Sequence, residues 1–142
     1  NKALAINDKD WRVWDNLLQS YLWMGQQENA AKARVMALKL LEQWVHEHPQ
    51  DAGALADLAD FYAEDKMRDK ALRDINSALA LTPDDSDVLL YAAAVYEQLG
   101  ERGKAIEYAR AGLQKGATME DLRNRYALRG LLGDASFQGP GK

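Results

Sequence analysis

The sequence predicts an all-α protein built of stacked antiparallel helix pairs. Three observations predict it. Pro49 and Pro83 bracket two apolar patterns of helical period. The same apolar spacing recurs upstream and downstream in one register. Turn residues such as Gly25 and Gly100 fall between the two patterns of a unit, where a left-handed residue ends a helix at low cost.

Numbering the stretch 52–85 from 1 to 34 sets the register. Leu55, Leu58, Ala59 and Tyr62 take positions 4, 7, 8 and 11, on one face of a first helix. Ala71, Ile75 and Ala78 take positions 20, 24 and 27 of a second helix. In 86–119 the same positions hold Leu89, Ala92, Ala93 and Tyr96, then Ala105, Ala109 and Gly112. Upstream they hold Trp14, Leu17, Leu18 and Tyr21, then Ala30, Arg34 and Ala37. Small residues at 8, 20 and 27 let two helices approach closely. Leu18 departs from that rule and predicts a wider spacing in the first pair. One pair cannot bury both of its faces, so neighbouring pairs must stack.

The first unit, 11–51, has seven extra residues between Leu41 and His48. Seven residues are about two helical turns, so the buried stripe stays in phase. One long helix is expected there, not an inserted loop. Helices are expected near 1–6, 10–24, 27–48, 51–65, 68–82, 85–99, 102–115 and 119–132. Residues 1–8 match the end of a lost upstream repeat. Units 11–51, 52–85 and 86–117 follow within 9–117, then capping helices over 118–137 and a disordered tail at 138–142. The chain opens inside a helical pattern without an initiator Met and reads as part of something longer.

Composition bounds the function. Among 142 residues, 47% are apolar and 28% charged, the balance of an ordinary folded domain rather than a disordered chain. No apolar run approaches the ~20 residues of a membrane-spanning helix, so no membrane partner is expected. A net charge of −4 argues against nucleic acid. The excess sits in 52–85, with eight acids and four bases; the rest of the chain holds 14 of each. The absence of cysteine excludes disulfides, thiol catalysis and Cys-based zinc sites, and a cytoplasmic location is expected.

Catalysis is poorly supported. His46 and His48 point to different helix faces, and Glu42 with His46 lacks an evident third ligand. The serines lack a nucleophile-elbow context, and no phosphate-binding glycine loop occurs. No enzyme activity, cofactor or metal is expected. Of the four tryptophans, Trp14 is core by register. Trp11 is expected against the truncated upstream helix. Trp44 is expected against the next helix pair or exposed.

The pattern Trp14-x2-Leu17-Leu18-x2-Tyr21, the alanines at positions 20 and 27 and the closing prolines resemble the tetratricopeptide repeat, over residues 1–117. The resemblance implies a right-handed α-solenoid whose first helices line a concave face through positions 2, 5, 6, 9, 12 and 13. Those positions hold Arg12, Asp15, Asn16, Gln19, Leu22 and Trp23; then Gly53, Ala56, Asp57, Asp60, Ala63 and Glu64; then Asp87, Leu90, Tyr91, Ala94, Glu97 and Gln98. The groove would be acidic at its centre, with Trp23 on one side and Leu90 and Tyr91 on the other. It suits a protein or peptide partner carrying a basic residue and an apolar anchor. The partner-binding candidates are Arg12, Asp15, Asn16, Gln19, Trp23, Asp57, Asp60, Glu64, Leu90, Tyr91 and Glu97.

Repeat domains of this type that clamp chaperone C-termini place Lys and Asn where this chain has Asp15 and Gln19, Asn where it has Asp57, and basic residues where it has Asp87 and Tyr91, so an acidic terminus would be repelled. The end of the chain, through Gly116, Met119, Leu122, Leu128, Leu131, Asp134 and Phe137, resembles a terminator of such repeats in bacterial multidomain signalling and regulatory proteins. That resemblance implies an interaction module behind a kinase, nucleotide-cyclase or DNA-binding domain. The alternative is a structural spacer or self-association module, dimerising through an open apolar edge near Leu4, Trp11 and Val13.

Overall fold

The computed structural model describes residues 9–137. The chain falls into two compact units, one ending at His48 and one beginning at Pro49. Both are helical, and no strand occurs among the described residues. The expected helix at 1–6 and tail at 138–142 lie outside them.

The first unit is a pair, α1 (Trp11–Trp23) and α2 (Gln27–Glu47). Asp10 caps α1 by accepting from the Arg12 backbone N–H at 2.9 Å. The α1 end is closed by Gly25 at φ 74°, with the Gly25 N–H bonded to Leu22 O and the Gln26 N–H to Tyr21 O. This is the Schellman arrangement, which satisfies the last orphan carbonyls of a helix. α2 runs 21 residues without a break, as the phase of the seven extra residues requires. Ala30, Ala33, Ala37 and Leu41 form its buried stripe.

Two tryptophans of this unit meet each other. Trp11 is buried and meets Trp44, with ring centroids 5.3 Å apart. His48 stacks on Trp44 at 3.7 Å. The two extra turns of α2 carry Trp44 over the start of α1, while the helix expected against Trp11 and the Leu4 part of the expected edge lie outside the described residues. Trp14 is half-buried, as are Leu17 and Tyr21; Leu18 holds the α1 side of the core.

The second unit contains α3 (Ala52–Glu64), α4 (Arg68–Leu81), α5 (Ser86–Gln98) and α6 (Arg102–Gln114). Two short helices follow, α7 (Met119–Arg123) and α8 (Arg129–Leu132), joined by a 3-10 turn at Tyr126–Leu128. α3 packs on α4 and α5 on α6; α5 also packs on α3 and α4. Every residue assigned to positions 4, 7, 8, 11, 20, 24 and 27 in 52–119 is buried. Ala59, Ala71, Ala78, Ala93, Ala105 and Ala109 have no exposed surface. At Gly112 an added Cβ would meet Leu90 Cδ2 at 2.8 Å, so a side chain there is excluded by a fully buried leucine.

The two pairs repeat details that apolar spacing does not encode. Asp51 caps α3, and Asp85, at the same point of the next repeat, caps α5. Lys66 and Gly100 occupy the same turn position with positive φ, 62° and 83°, and each closes its helix with the Schellman bonds seen at Gly25. The Lys70 ammonium lies 5.4 Å over the Tyr62 ring, and Lys104 lies 5.3 Å over Tyr96. Arg68 pairs with Glu101, and its equivalent Arg102 pairs with Asp134 in the C-terminal segment.

The single helix expected over 119–132 is broken. Thr118 and Asp121 form a reciprocal capping box that starts α7. Asn124 ends it, and Arg125 is extended, with φ −95° and ψ 111°. The break has a packing cause. Leu122 and Leu131 are nine positions apart and would face opposite sides of one helix, yet both are fully buried in one cluster with Leu90, Ile106, Leu128 and Phe137.

Candidate functional site

α3 and α5 are the first helices of the two pairs in the second unit, and neither carries a lysine or arginine. Between them they carry Asp57, Asp60, Glu64, Asp87 and Glu97. α4 and α6 carry Arg68, Lys70, Arg73, Arg102, Lys104 and Arg110 against Asp69, Asp74 and Glu107. Charge is thus segregated by helix type. The expected positions differ sharply in what they expose. Glu64, Gly53 and Asp87 are exposed, and Asp60, Tyr91, Glu97 and Gln98 are half-buried. Asp57 is 4% exposed, and Ala56, Ala63 and Ala94 are buried.

Leu90 is a correction. The resemblance puts it on the concave face, yet it has no exposed surface and shares a buried cluster with the C-terminal segment. In the last pair, position 5 faces that segment instead of solvent. Leu90 therefore belongs to the core and offers no surface on that face.

Asp60, Glu97 and Asp87 meet side chains from other parts of the second unit. The Asp60 carboxylate accepts from Gln98 Nε2, which also donates to Ala94 O at 3.1 Å. Glu97 takes a bidentate grip from Arg102, Nε to Oε1 at 2.7 Å and Nη2 to Oε2 at 2.6 Å. The third arm of Arg102, Nη1, reaches Asp134 Oδ2 at 2.7 Å. Planar bidentate pairing of this kind fixes orientation as well as charge. Asp87 faces Arg125, whose guanidinium stands 3.7 Å from Asp87 Oδ1 and 4.4 Å over the Tyr91 ring.

These bonds shift the titration of the clamp. Glu97, then Asp134, hold Arg102 protonated beyond its ordinary range. The Arg102 side chain, then the Ser136 backbone N–H, hold the Asp134 carboxyl below its usual value. A carboxyl depressed in the fold stabilises it above the ordinary carboxylate range, near pH 4, and that contribution is lost as pH falls through the depressed value. Acidification below about pH 4 is therefore expected to loosen the Asp134–Phe137 turn before the helix pairs unfold. Amide exchange at Leu131 and Phe137, followed against pH, should show a rise that Asp134→Asn abolishes.

In the first unit, Arg12 is exposed, paired with Asp10 at 3.0 Å and set 4.6 Å over Trp11. Asn16 is exposed, while Asp15 and Gln19 are half-buried. Trp23 is 50% exposed and adjoins Met24 at 58%.

His46 and His48 are exposed, and no group of three potential metal ligands occurs among the described residues. No helix among them is long and apolar enough to cross a membrane. Searches find no matching protein-family model and no matching curated protein.

Sequence reasoning placed the acids on the first helices but missed their internal partners. Gln98, Arg102, Arg125 and Asp134 have no signal in a register of apolar positions. One signal existed for Arg102: it occupies the position of Arg68 in the preceding pair.

Proposed function

We propose that the chain is a helical-repeat protein-interaction module of the tetratricopeptide type, whose first helices receive a basic, partly apolar peptide or partner domain. Its repeats would stack as a right-handed solenoid. The observation that carries this reading is the charge segregation in the second unit. α3 and α5 carry five carboxylates, of which Asp57 is buried and Glu97 is held by Arg102, and no cation, while α4 and α6 carry the cations. Complementary charge raises the rate of encounter and suppresses wrong partners, so this face favours basic partners and rejects acidic ones. The recurrence of caps, turns and cation–π pairs from one repeat to the next supports the repeat reading. The resemblance of the C-terminal segment supports a place within a larger bacterial signalling or regulatory protein.

The test is charge reversal, with surface residues chosen from their exposure. Asp57 and Asp74 are buried, so reversal there reports on folding. Glu64 and Asp87 on the first helices, and Asp69 and Glu107 on the second, are exposed. The probe is a short blocked peptide alternating arginine and leucine, at low salt. Reversing Glu64 and Asp87 to Lys should weaken binding at least tenfold. Reversing Asp69 and Glu107 should change it less than about twofold, since surface charges away from a contact are screened. Equal losses from the two pairs would contradict the proposal.

A self-association module is the second reading, favoured by the exposed Trp23, Met24 and Val35 of the first unit. Sedimentation equilibrium distinguishes it: a dimer abolished by Trp23→Ser would support self-association, and a monomer at all concentrations would remove it.

A further inference from the structure

Arg125 brings the C-terminal segment onto the acidic face of α5. It sits in extended backbone between α7 and the 3-10 turn. Its guanidinium covers the Tyr91 ring at 4.4 Å, and its side chain is 24% exposed. Asp87, one helical turn before Tyr91, offers its carboxylate at 3.7 Å and is 79% exposed.

The contact differs from the others that hold the segment. Arg102 binds Asp134 at hydrogen-bond length, and Arg110 donates to Ser136 O at 2.6 Å. Leu122, Leu128 and Leu131 are fully buried. Arg125 stands beyond hydrogen-bond length from Asp87. The segment is therefore anchored without Arg125, and that side chain can swing away while the helices stay in place. What it would uncover is a ring face with a carboxylate one turn away. That pair of features favours a planar guanidinium, which stacks and ion-pairs at once, over a compact ammonium.

We propose that Asp87 and Tyr91 form an arginine-recognition subsite, which Arg125 of the same chain occupies as a built-in competitor. A partner's arginine must displace Arg125 to engage α5. The subsite rests on the interaction reading above and sharpens it: the basic residue selected at this point is arginine, and access to it is gated by the protein's own side chain.

The experiment compares the natural chain with Arg125→Ala and Arg125→Gln, the second keeping most of the packing volume. Circular dichroism and urea unfolding establish that each variant is folded. The arginine–leucine peptide is titrated by calorimetry, beside one peptide with citrulline and one with lysine in place of arginine. Both variants should bind the arginine peptide about tenfold tighter than the natural chain, with the Tyr91 ring resonances shifting on binding. The citrulline peptide should show no gain and the lysine peptide a smaller one. Asp87→Asn in the Arg125→Ala background should erase the gain.

An unchanged affinity in both variants would overturn the subsite. If binding by the natural chain were still lost on reversing Glu64 alone, the interaction module would stand without it. An equal gain for citrulline would show a steric plug rather than arginine recognition and would also overturn the proposal. Failure of every protein to bind any of the peptides would overturn the subsite and the basic-partner reading together.

Discussion

Replacing Leu122 or Leu128 with alanine is expected to lower the stability of the second unit by about 3 kcal/mol each. Both side chains are fully buried in the cluster around Leu90 and Ile106. Truncating a buried leucine loses its transfer free energy and leaves a cavity that the surroundings fill only in part. The elements that carry the segment's buried leucines are five, three and four residues long. Helices that short have no stability of their own. Their order comes from burial and from the Arg102 clamp, so each leucine is a large share of what holds the segment. Urea unfolding should show a lower midpoint, and limited proteolysis should open at Asn124–Arg125 first. Met119→Ala, at a residue 40% exposed, should cost less than about 1 kcal/mol. A loss below about 1 kcal/mol for both Leu122 and Leu128 would mean that the segment is not seated as described.

Ala93→Leu and Leu18→Ala are expected to destabilise strongly although they change volume in opposite directions. Ala93 has no exposed surface and sits where α5 approaches α6. Extra methylenes there have no space and force the two helices apart, at about 2 kcal/mol or more. Leu18 occupies the equivalent position in the first unit and is 4% exposed. There the pair is built around a large side chain, and its removal should cost about 3 kcal/mol. The double result tests the register itself: one position, two volumes, each fitted to its own pair. Thermal unfolding of the single variants measures it. Tolerance of Ala93→Leu within about 0.5 kcal/mol would show that α5 and α6 are not in close approach at that residue.

The helix pairs were legible because burial has a period. Leu55, Leu58, Tyr62, Ile75 and Ala78 announce their faces through spacing alone, and the structure buries each of them. The turn at Lys66 was not legible. A lysine at φ 62° has no compositional signal, and it is recognised only by its equivalence to Gly25 and Gly100. The meeting of Trp11 and Trp44 escapes a sequence reading because it depends on how far two extra turns carry a side chain back along the pair. The break at Arg125 left a trace in the spacing of Leu122 and Leu131, which no straight helix accommodates on one face.

The acidic surface was legible in outline and wrong in detail for a related reason. Register says which side of a helix a residue occupies, not what else reaches that side. Leu90 shares its buried cluster with Leu122, Leu128 and Leu131 from beyond the last repeat, and Asp87 is met by Arg125 from the same segment. Those long-range partners turn a row of open acids into a graded surface. Glu64 is exposed, Asp60 and Glu97 are engaged internally, and Asp87 with Tyr91 is screened by a side chain that can leave.

The most direct test of the interaction face is amide chemical-shift mapping during titration with the blocked arginine–leucine peptide. Saturable shifts should concentrate on α3 and α5, around Glu64, Asp87 and Tyr91, and weaken as salt is raised. The amides of α4 and α6 should stay in place. Shifts confined to α4 and α6, or none at millimolar peptide in low salt, would contradict the assignment of the first helices as the partner-binding face.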